Sequence, residues 1–180
     1  MTGPTAAHPE NSPDETVEEV DRAGNVLRLV SRREMRSGAL RHRSVFIAVV
    51  SEKGDILVHQ RAATKDVWPG WWDIAVGGVC GPGEDWHQAA VREMSEELGV
   101  EGAVIEQIGS GAYVDAQVKL VARIFLCRTD GPFRFADGEI TQAHWVSPAG
   151  FPNWLGAKDF LPDSLALVLP VLRGFSDIAP

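Results

Sequence analysis

Long apolar runs are missing from this chain of 180 residues, and none approaches the roughly 18–20 residues that a membrane span requires. No N-terminal apolar stretch resembles the hydrophobic region of a secretory signal. Cysteine is scarce, with only Cys80 and Cys127. A disulfide scaffold is therefore not expected, and a soluble cytoplasmic protein is. Basic charge is also in short supply: Lys and Arg number 17 against 25 Asp and Glu, for a formal charge of −8. General nucleic-acid binding, whose affinity rests on neutralising phosphates, is not expected either. An acidic protein still handles phosphates when divalent cations bridge the two. What remains is ordinary globular composition, 44% hydrophobic and 23% charged, long enough for one compact domain with its own core.

Residues 1–16 carry Pro4, Pro9 and Pro13 among polar residues, with almost no large apolar side chain, and predict a disordered arm. Val26–Val30 predicts a strand after the turn signal Gly24-Asn25. Ser31 is placed to cap a short helical turn through Arg36, ended by Gly38. Val45–Val50 is almost uniformly apolar, as a strand buried on both faces is. Ser51 to Gly54 supplies a turn, and Ile56–His59 is expected back as its hairpin partner. Residues 62–72 read as an ordered tryptophan-rich loop, followed by a short strand over Asp73–Val79. Asp85–Leu98 is the strongest helix, with Asp85 as N-cap and Gly99 as the residue that ends it. Further strands are expected at Ala103–Ile108, around Tyr113, at Val118–Cys127 and at Glu139–Val146, with a turn at Gly131-Pro132. Leu161–Phe175 predicts a closing helix that Pro170 kinks or divides. Strands and helices are interspersed without a regular βαβ rhythm, which predicts an α/β or α+β layered domain on a mixed sheet.

Within the central helix, Glu93, Glu96 and Glu97 share one arc at 100° of rotation per residue. Ala90, Val91, Met94 and Leu98 fall on another and are expected to face the sheet. Like charges at these spacings each destabilise an isolated helix by about 0.2–0.5 kcal/mol. Near the C-terminal end the helix dipole disfavours negative charge as well. A divalent cation reverses that balance: Mg²⁺ takes a few carboxylates and keeps positions for water and phosphate oxygens. A solvated acidic face is the plainer alternative for the three glutamates taken alone.

The pattern that contains them is more specific. Gly78, five residues, Glu84, seven residues, Arg92-Glu93, an apolar residue (Met94), one residue, Glu96-Glu97, one residue, Gly99 and an apolar residue (Val100) match the Nudix box without deviation. On these residues the chain resembles a Nudix hydrolase. The resemblance implies an α/β/α sandwich with a mixed β-sheet over residues 17–180, and a box loop and helix that hold Mg²⁺ or Mn²⁺. It further implies hydrolysis of a diphosphate linkage, in a nucleoside diphosphate derivative or a similar small phosphorylated metabolite. By position, Glu96 and Glu97 are the principal metal ligands, and Glu93 is a further ligand or the general base, oriented by Arg92. Glu84 is an outer ligand or a water-mediated one, and the Gly77 carbonyl is a ligand just before the box. A later glutamate often serves as base or ligand. Glu139 is the best-placed candidate, against the alternative of an exposed strand-end residue, and Asp115 and Asp137 are weaker ones. Homodimers are frequent in the family, with the N-terminal strand available to take part.

Upstream, His42 to Phe46, Gln60-Arg61, Lys65 and Trp68 to Asp73 are similar to the branch near isopentenyl diphosphate isomerase, which makes Arg61 and Lys65 candidate phosphate contacts. Surface charges flanking a loop are the alternative. Gly77 and Val79 stand where that isomerase's cysteine and metal-binding histidine are expected, and Cys80 is read as a bystander, so hydrolysis is favoured over isomerisation. A non-catalytic metabolite-sensing module is the other rival reading, disfavoured by the complete set of box acids. Trp68, Trp71 and Trp72 are expected mostly in packing, with one of them, Tyr113 or Phe133 available to a substrate pocket. His42, His59 and His87 are not taken as metal ligands. Arg32, Arg33, Arg36, Arg41 and Arg43 form a basic segment, either a solvated face or an attractor of anions.

Overall fold

A computed structural model describes residues 12–136 and 138–174. The strands are β1 (Thr16–Val20), β2 (Val26–Ser31), β3 (Arg41–Val50), β4 (Ile56–Arg61), β5 (Trp72–Asp73), β6 (Ile105–Val114), β7 (Lys119–Arg128) and β8 (Ile140–Val146). The helices are α1 (Arg32–Ser37), α2 (Trp86–Leu98), α3 (Phe151–Ala157) and α4 (Pro162–Gly174). A mixed sheet runs β5-β4-β3-β7-β6 with β8 on β4, and β1 and β2 form a separate antiparallel pair.

The apolar run of β3 is explained by helices on both sides of the sheet. Val45, Ile47 and Val49 face α2 together with Phe125 and Cys127, against Ala89, Ala90, Met94 and Leu98. The alternate residues Phe46, Ala48 and Val50 face the other way with Leu120, Ala122 and Ile124, against Leu167, Val168 and Leu172 of α4. Two layers of helix on a doubly buried sheet make the α/β/α sandwich, and each fully buried Leu or Met contributes roughly 1.5–3 kcal/mol.

Helix α2 starts and stops where its ends dictate. Asp85 accepts from the His87 N–H at 2.8 Å and Gln88 reciprocates in a capping box, while Gly99 closes the helix at φ +65°. Ser31 caps α1 in the same manner, accepting from the Glu34 N–H.

Several expectations fail, and the reasons are long-range. The hairpin from β3 to β4 exists only at its turn, where Val50 pairs with Ile56. Beyond that pair the strands diverge. β3 instead runs parallel to β7 along its whole length, from Arg41 beside Lys119 to Val50 beside Arg128, and β4 pairs with β8. The strand expected over residues 73–79 shrinks to Trp72–Asp73 on the edge of β4. From there the chain crosses the gap and bridges to β3 at Val76 and Val79. Helix α3, with Pro152 in its first turn, was not anticipated. α4 is continuous through Pro170 rather than divided. Phe175 lies outside the described residues. So does most of the expected arm; its last residues are tied down, with the Arg32 N–H donating to Glu15 O at 2.7 Å and β1 beginning at Thr16.

Candidate active site

The gap between β3 and β4 opens into a solvent-accessible cleft. Residues 76–79, running along its β3 edge, bring the box against it. Ile47 N–H donates to Val76 O at 2.8 Å and Val45 N–H to Gly78 O at 3.0 Å. The Gly77 carbonyl between them accepts no hydrogen bond among the described residues, and Gly77 lines the cleft. Only glycine fits there: φ is +146°, and a Cβ would lie 2.1 Å from Val45 O. Gly78 is restricted less severely, since a Cβ there would stand 2.5 Å from Glu93 Oε1, the movable end of a side chain.

From α2, Glu93, Glu96 and Glu97 all line the cleft. Glu93 and Glu97 belong to the buried face of the helix, only 7% and 4% exposed, with Glu96 half-buried next to them; Gly78 in the preceding loop packs directly against the Glu93 carboxylate. Arg92 organises the cluster. Its Nε and Nη2 donate to the two oxygens of Glu84 at 2.9 and 3.0 Å, and its Nη1 donates to Glu93 at 2.8 Å and Glu96 at 3.1 Å. Its Nη2 also reaches Val79 O at 3.2 Å. Glu84 accepts in addition from the Gly81 N–H at 2.7 Å. Burial opposes its charge, but the Arg92 and Gly81 hydrogen bonds outweigh burial and hold its pKa below the ordinary carboxylate value. Glu84 is not among the cleft-lining residues, and its visible work is to aim Arg92 and the turn at Gly81.

The two buried glutamates behave differently. Burial pushes Glu93 up to about 7 even against the Arg92 charge. Burial, and then the charge of Glu93, push Glu97 well above its ordinary value. Glu97 receives no hydrogen bond or ion pair among the described residues. A buried carboxylate left without a partner is costly, and a divalent cation is the partner that answers both charges at once. The oxygen-only donor set, with the open Gly77 carbonyl nearby, fits a hard cation. Among the described residues no three His, Cys, Asp or Glu side chains already converge as a metal cage. Arg92 and Lys65 hold Glu93, Glu96 and Glu139, and an incoming cation competes with them.

Lys65 and Glu139 both line the cleft and form an ion pair with each other, so Glu139 is not an exposed strand end. Arg61 lines it too; its Nη2 donates to Val67 O at 3.3 Å and its buried Nε has no hydrogen-bond partner among the described residues. Arg32 and Arg36 reach the same cleft, paired with Glu15 and Asp66, so the basic segment is in part a cleft wall rather than a solvated face. Asp115 is spent elsewhere, accepting from the Tyr113 hydroxyl and the N–H groups of Gln117 and Val118. Asp137 lies outside the described residues. Trp68 lines the cleft, whereas Tyr113 and Phe133 pack against the two cores. Cys80 is buried and its thiol is pushed up to about 12 by burial, which leaves it inert. His42 and His59 are buried and pushed down to about 3 by burial. His42, Asp73 and Asp163 line the cleft; sequence reasoning gave none of them a site role, although His42 and Asp73 fall within the segments similar to the isomerase branch, and Asp163 has no local motif around it.

The chain matches the NUDIX domain model over residues 40–164. It is 35% identical over 160 residues to the uncharacterized Nudix hydrolase YfcD of Escherichia coli (strain K12), covering 88% of each chain. It is also 32% identical over 159 residues to the uncharacterized Nudix hydrolase PA4841 of Pseudomonas aeruginosa, covering 88% of this chain and 94% of that one. The crystal structure of DR0079 from Deinococcus radiodurans superposes with a TM-score of 0.75 at 24% identity, over 89% of this chain and 99% of that one. The NUDIX domain of Shewanella oneidensis NrtR, solved with ADP-ribose, superposes at 0.60 and 16% identity, over 81% and 98%. The chain therefore belongs to the Nudix family. Within that family it is a Nudix hydrolase, an enzyme of the pyrophosphohydrolase class. No helix among the described residues is long and apolar enough to cross a membrane.

Proposed function

We propose that the chain is a Mg²⁺- or Mn²⁺-dependent hydrolase that cleaves a diphosphate linkage in a nucleoside diphosphate derivative or a similar small phosphorylated metabolite. The observation that carries this reading is the buried Glu97, without a hydrogen bond or ion pair among the described residues, beside Glu93 on the wall of a cleft that also presents Arg61 and Lys65. A divalent cation held by Glu93, Glu96, Glu97 and the Gly77 carbonyl would neutralise the diphosphate and acidify water. Arg92 keeps Glu93 and Glu96 aimed into the cleft. Arg61, with unused guanidinium donors, and Lys65, once released from Glu139, hold phosphate oxygens and stabilise charge gathering on the leaving phosphate. Glu93 or Glu139 takes the proton of the attacking water as its oxygen bonds to phosphorus and the anhydride P–O bond breaks.

The test is a panel of nucleoside diphosphate derivatives, ADP-ribose among them, assayed with Mg²⁺ and Mn²⁺ at mildly alkaline pH for phosphate, pyrophosphate or nucleoside monophosphate release. Turnover that disappears in Glu97→Gln supports the reading. Tight binding with no turnover, unaffected by that substitution, identifies a sensing module instead. Loss in Glu139→Gln without loss of metal binding assigns the proton to Glu139 rather than Glu93.

A further inference from the structure

Two buried residues outside the cleft hold the box loop from behind. Glu18 of β1 is 6% exposed, and only 12% of the Arg43 side chain, from β3, meets solvent. They pair with each other, Arg43 Nη2 at 2.9 Å and Nε at 3.1 Å from the same Glu18 oxygen. Each then reaches the loop between Gly78 and α2. The other Glu18 oxygen accepts from the Gly83 N–H at 2.8 Å. Arg43 Nη2 donates to Glu84 O at 2.9 Å and to Gly81 O at 3.3 Å. The Arg43 carbonyl accepts from the Cys80 N–H at 3.0 Å. Its guanidinium also lies 5.0 Å from the ring centre of Trp86, the first residue of α2, with that of Arg123 at 5.1 Å.

A buried ion pair is a weak device for stability, because desolvating two charges offsets most of their attraction. What distinguishes this pair is where its remaining hydrogen bonds go: to the backbone of Gly81, Gly83 and Glu84. Glu84 is the joint of the arrangement. Its backbone is held by Arg43, and its side chain grips Arg92, which holds Glu93 and Glu96. Hydrogen bonds thus run from β1 through β3 and the box loop to two carboxylates of the cleft, while Glu18 and Arg43 themselves do not line it. Outer groups that orient metal ligands act in this way.

We propose that Glu18 and Arg43 are positioning residues: by fixing the box loop they set the place of Glu84, and hence of Arg92, Glu93 and Glu96. The inference rests on the hydrolase reading for what Glu93 and Glu96 do. Glu18→Gln and Arg43→Lys test it, because an amide must turn its NH2 toward one of the two donors and an ammonium lacks the fork. Glu19→Gln is the control: it lies on the same strand, and its ion pair with Arg28 does not touch the loop. In metal-free protein the NMR signal of the Arg92 Nε–H reports its bond to Glu84. Its exchange with water is expected to be about tenfold or more faster in both variants and unchanged in the control. At saturating Mg²⁺, kcat is expected to fall about tenfold or more in both, with KM within about twofold of wild type. Combining Glu18→Gln with Glu84→Gln is expected to lower kcat little further than Glu84→Gln alone, since the two act along one chain of contacts. Arg92 exchange that does not change, kcat within about twofold of wild type, or losses that multiply in the double variant overturns the proposal. If both substitutions unfold the chain, wild-type protein decides. The amide of Gly83, an exposed glycine, and the Arg92 Nε–H are expected to exchange about tenfold or more slower than in an unstructured peptide, and free exchange of either overturns the proposal. If no diphosphate turns over, the hydrolase reading fails, while Arg92 exchange in the variants still decides whether Glu18 and Arg43 place that side chain.

Discussion

Arg92 grips Glu84 through two parallel hydrogen bonds of 2.9 and 3.0 Å, across the loop that joins the box glycine to its helix. The fork ties the N-terminal loop to the middle of α2 and leaves the remaining guanidinium nitrogen for Glu93 and Glu96. Lysine supplies the charge but not the planar fork. Arg92→Lys is therefore expected to lose about 1.5–3 kcal/mol of stability, the range for hydrogen bonds to charged groups, and to lose activity as well. Chemical denaturation and steady-state assays check both, and a variant with wild-type values would remove Arg92 from its organising role.

Glu97 and Glu93 couple stability to pH and, on the proposed function, to metal. Both have folded-state pKa values above the ordinary carboxylate value, so the charge each must carry costs stability as pH rises toward and past 7, and the cost is absent at low pH. A divalent cation removes that cost. The rise in melting temperature on adding Mg²⁺ is expected to be larger at pH 8 than at pH 6. Glu97→Gln is expected to stabilise the metal-free protein at pH 8, to abolish most of the Mg²⁺ effect, and to lower turnover by several powers of ten. A variant keeping most of the wild-type rate contradicts the metal assignment.

The two box-side glycines separate fold from chemistry. A methyl group at Gly77 meets backbone, Val45 O at 2.1 Å, and backbone cannot step aside cheaply. Gly77→Ala is expected to destabilise by about 3 kcal/mol or more, the upper range for overpacking. At Gly78 the obstacle is the end of a side chain, Glu93 Oε1. Gly78→Ala is expected to fold with a smaller loss while displacing that carboxylate, so activity falls further than stability. Melting temperature and turnover, measured on both variants, distinguish the cases.

His42 and His59 are expected to stay neutral far into the acid range. His42 Nδ1 lies 3.0 Å from Leu40 O, consistent with a neutral ring donating there, and burial holds both rings near 3. The folded-state pKa is depressed, so the stability these rings contribute is complete above about 6.5 and is lost as pH falls toward 3. At pH 5 the loss is about 2 kcal/mol for each ring at most. An NMR titration of the imidazole resonances showing either ring protonating between pH 6 and 7 would contradict the burial argument.

Helix α2 and its chemistry were legible because their determinants are local. Caps at Asp85 and Gly99 and the spacing of Arg92, Glu93, Glu96 and Glu97 act within a few residues. The same holds for α1 and for the apolar β3, whose two-sided burial follows from composition alone. The β3–β4 hairpin misled because a turn specifies only the pair next to it: Val50 and Ile56 obey the turn, and the rest of β3 gains more by burying both faces beside β7.

By itself the sequence determined where helix α2 starts and stops and which acids share its one arc, because helix periodicity and end-capping are short-range. Only the tertiary structure decided that Glu93 and Glu97 are buried, that Lys65 meets Glu139, and that Asp73 lies with Asp163 in one cleft. Each of those depends on strands far apart in the chain choosing their neighbours, and that choice is made by the burial of whole faces rather than by any local pattern.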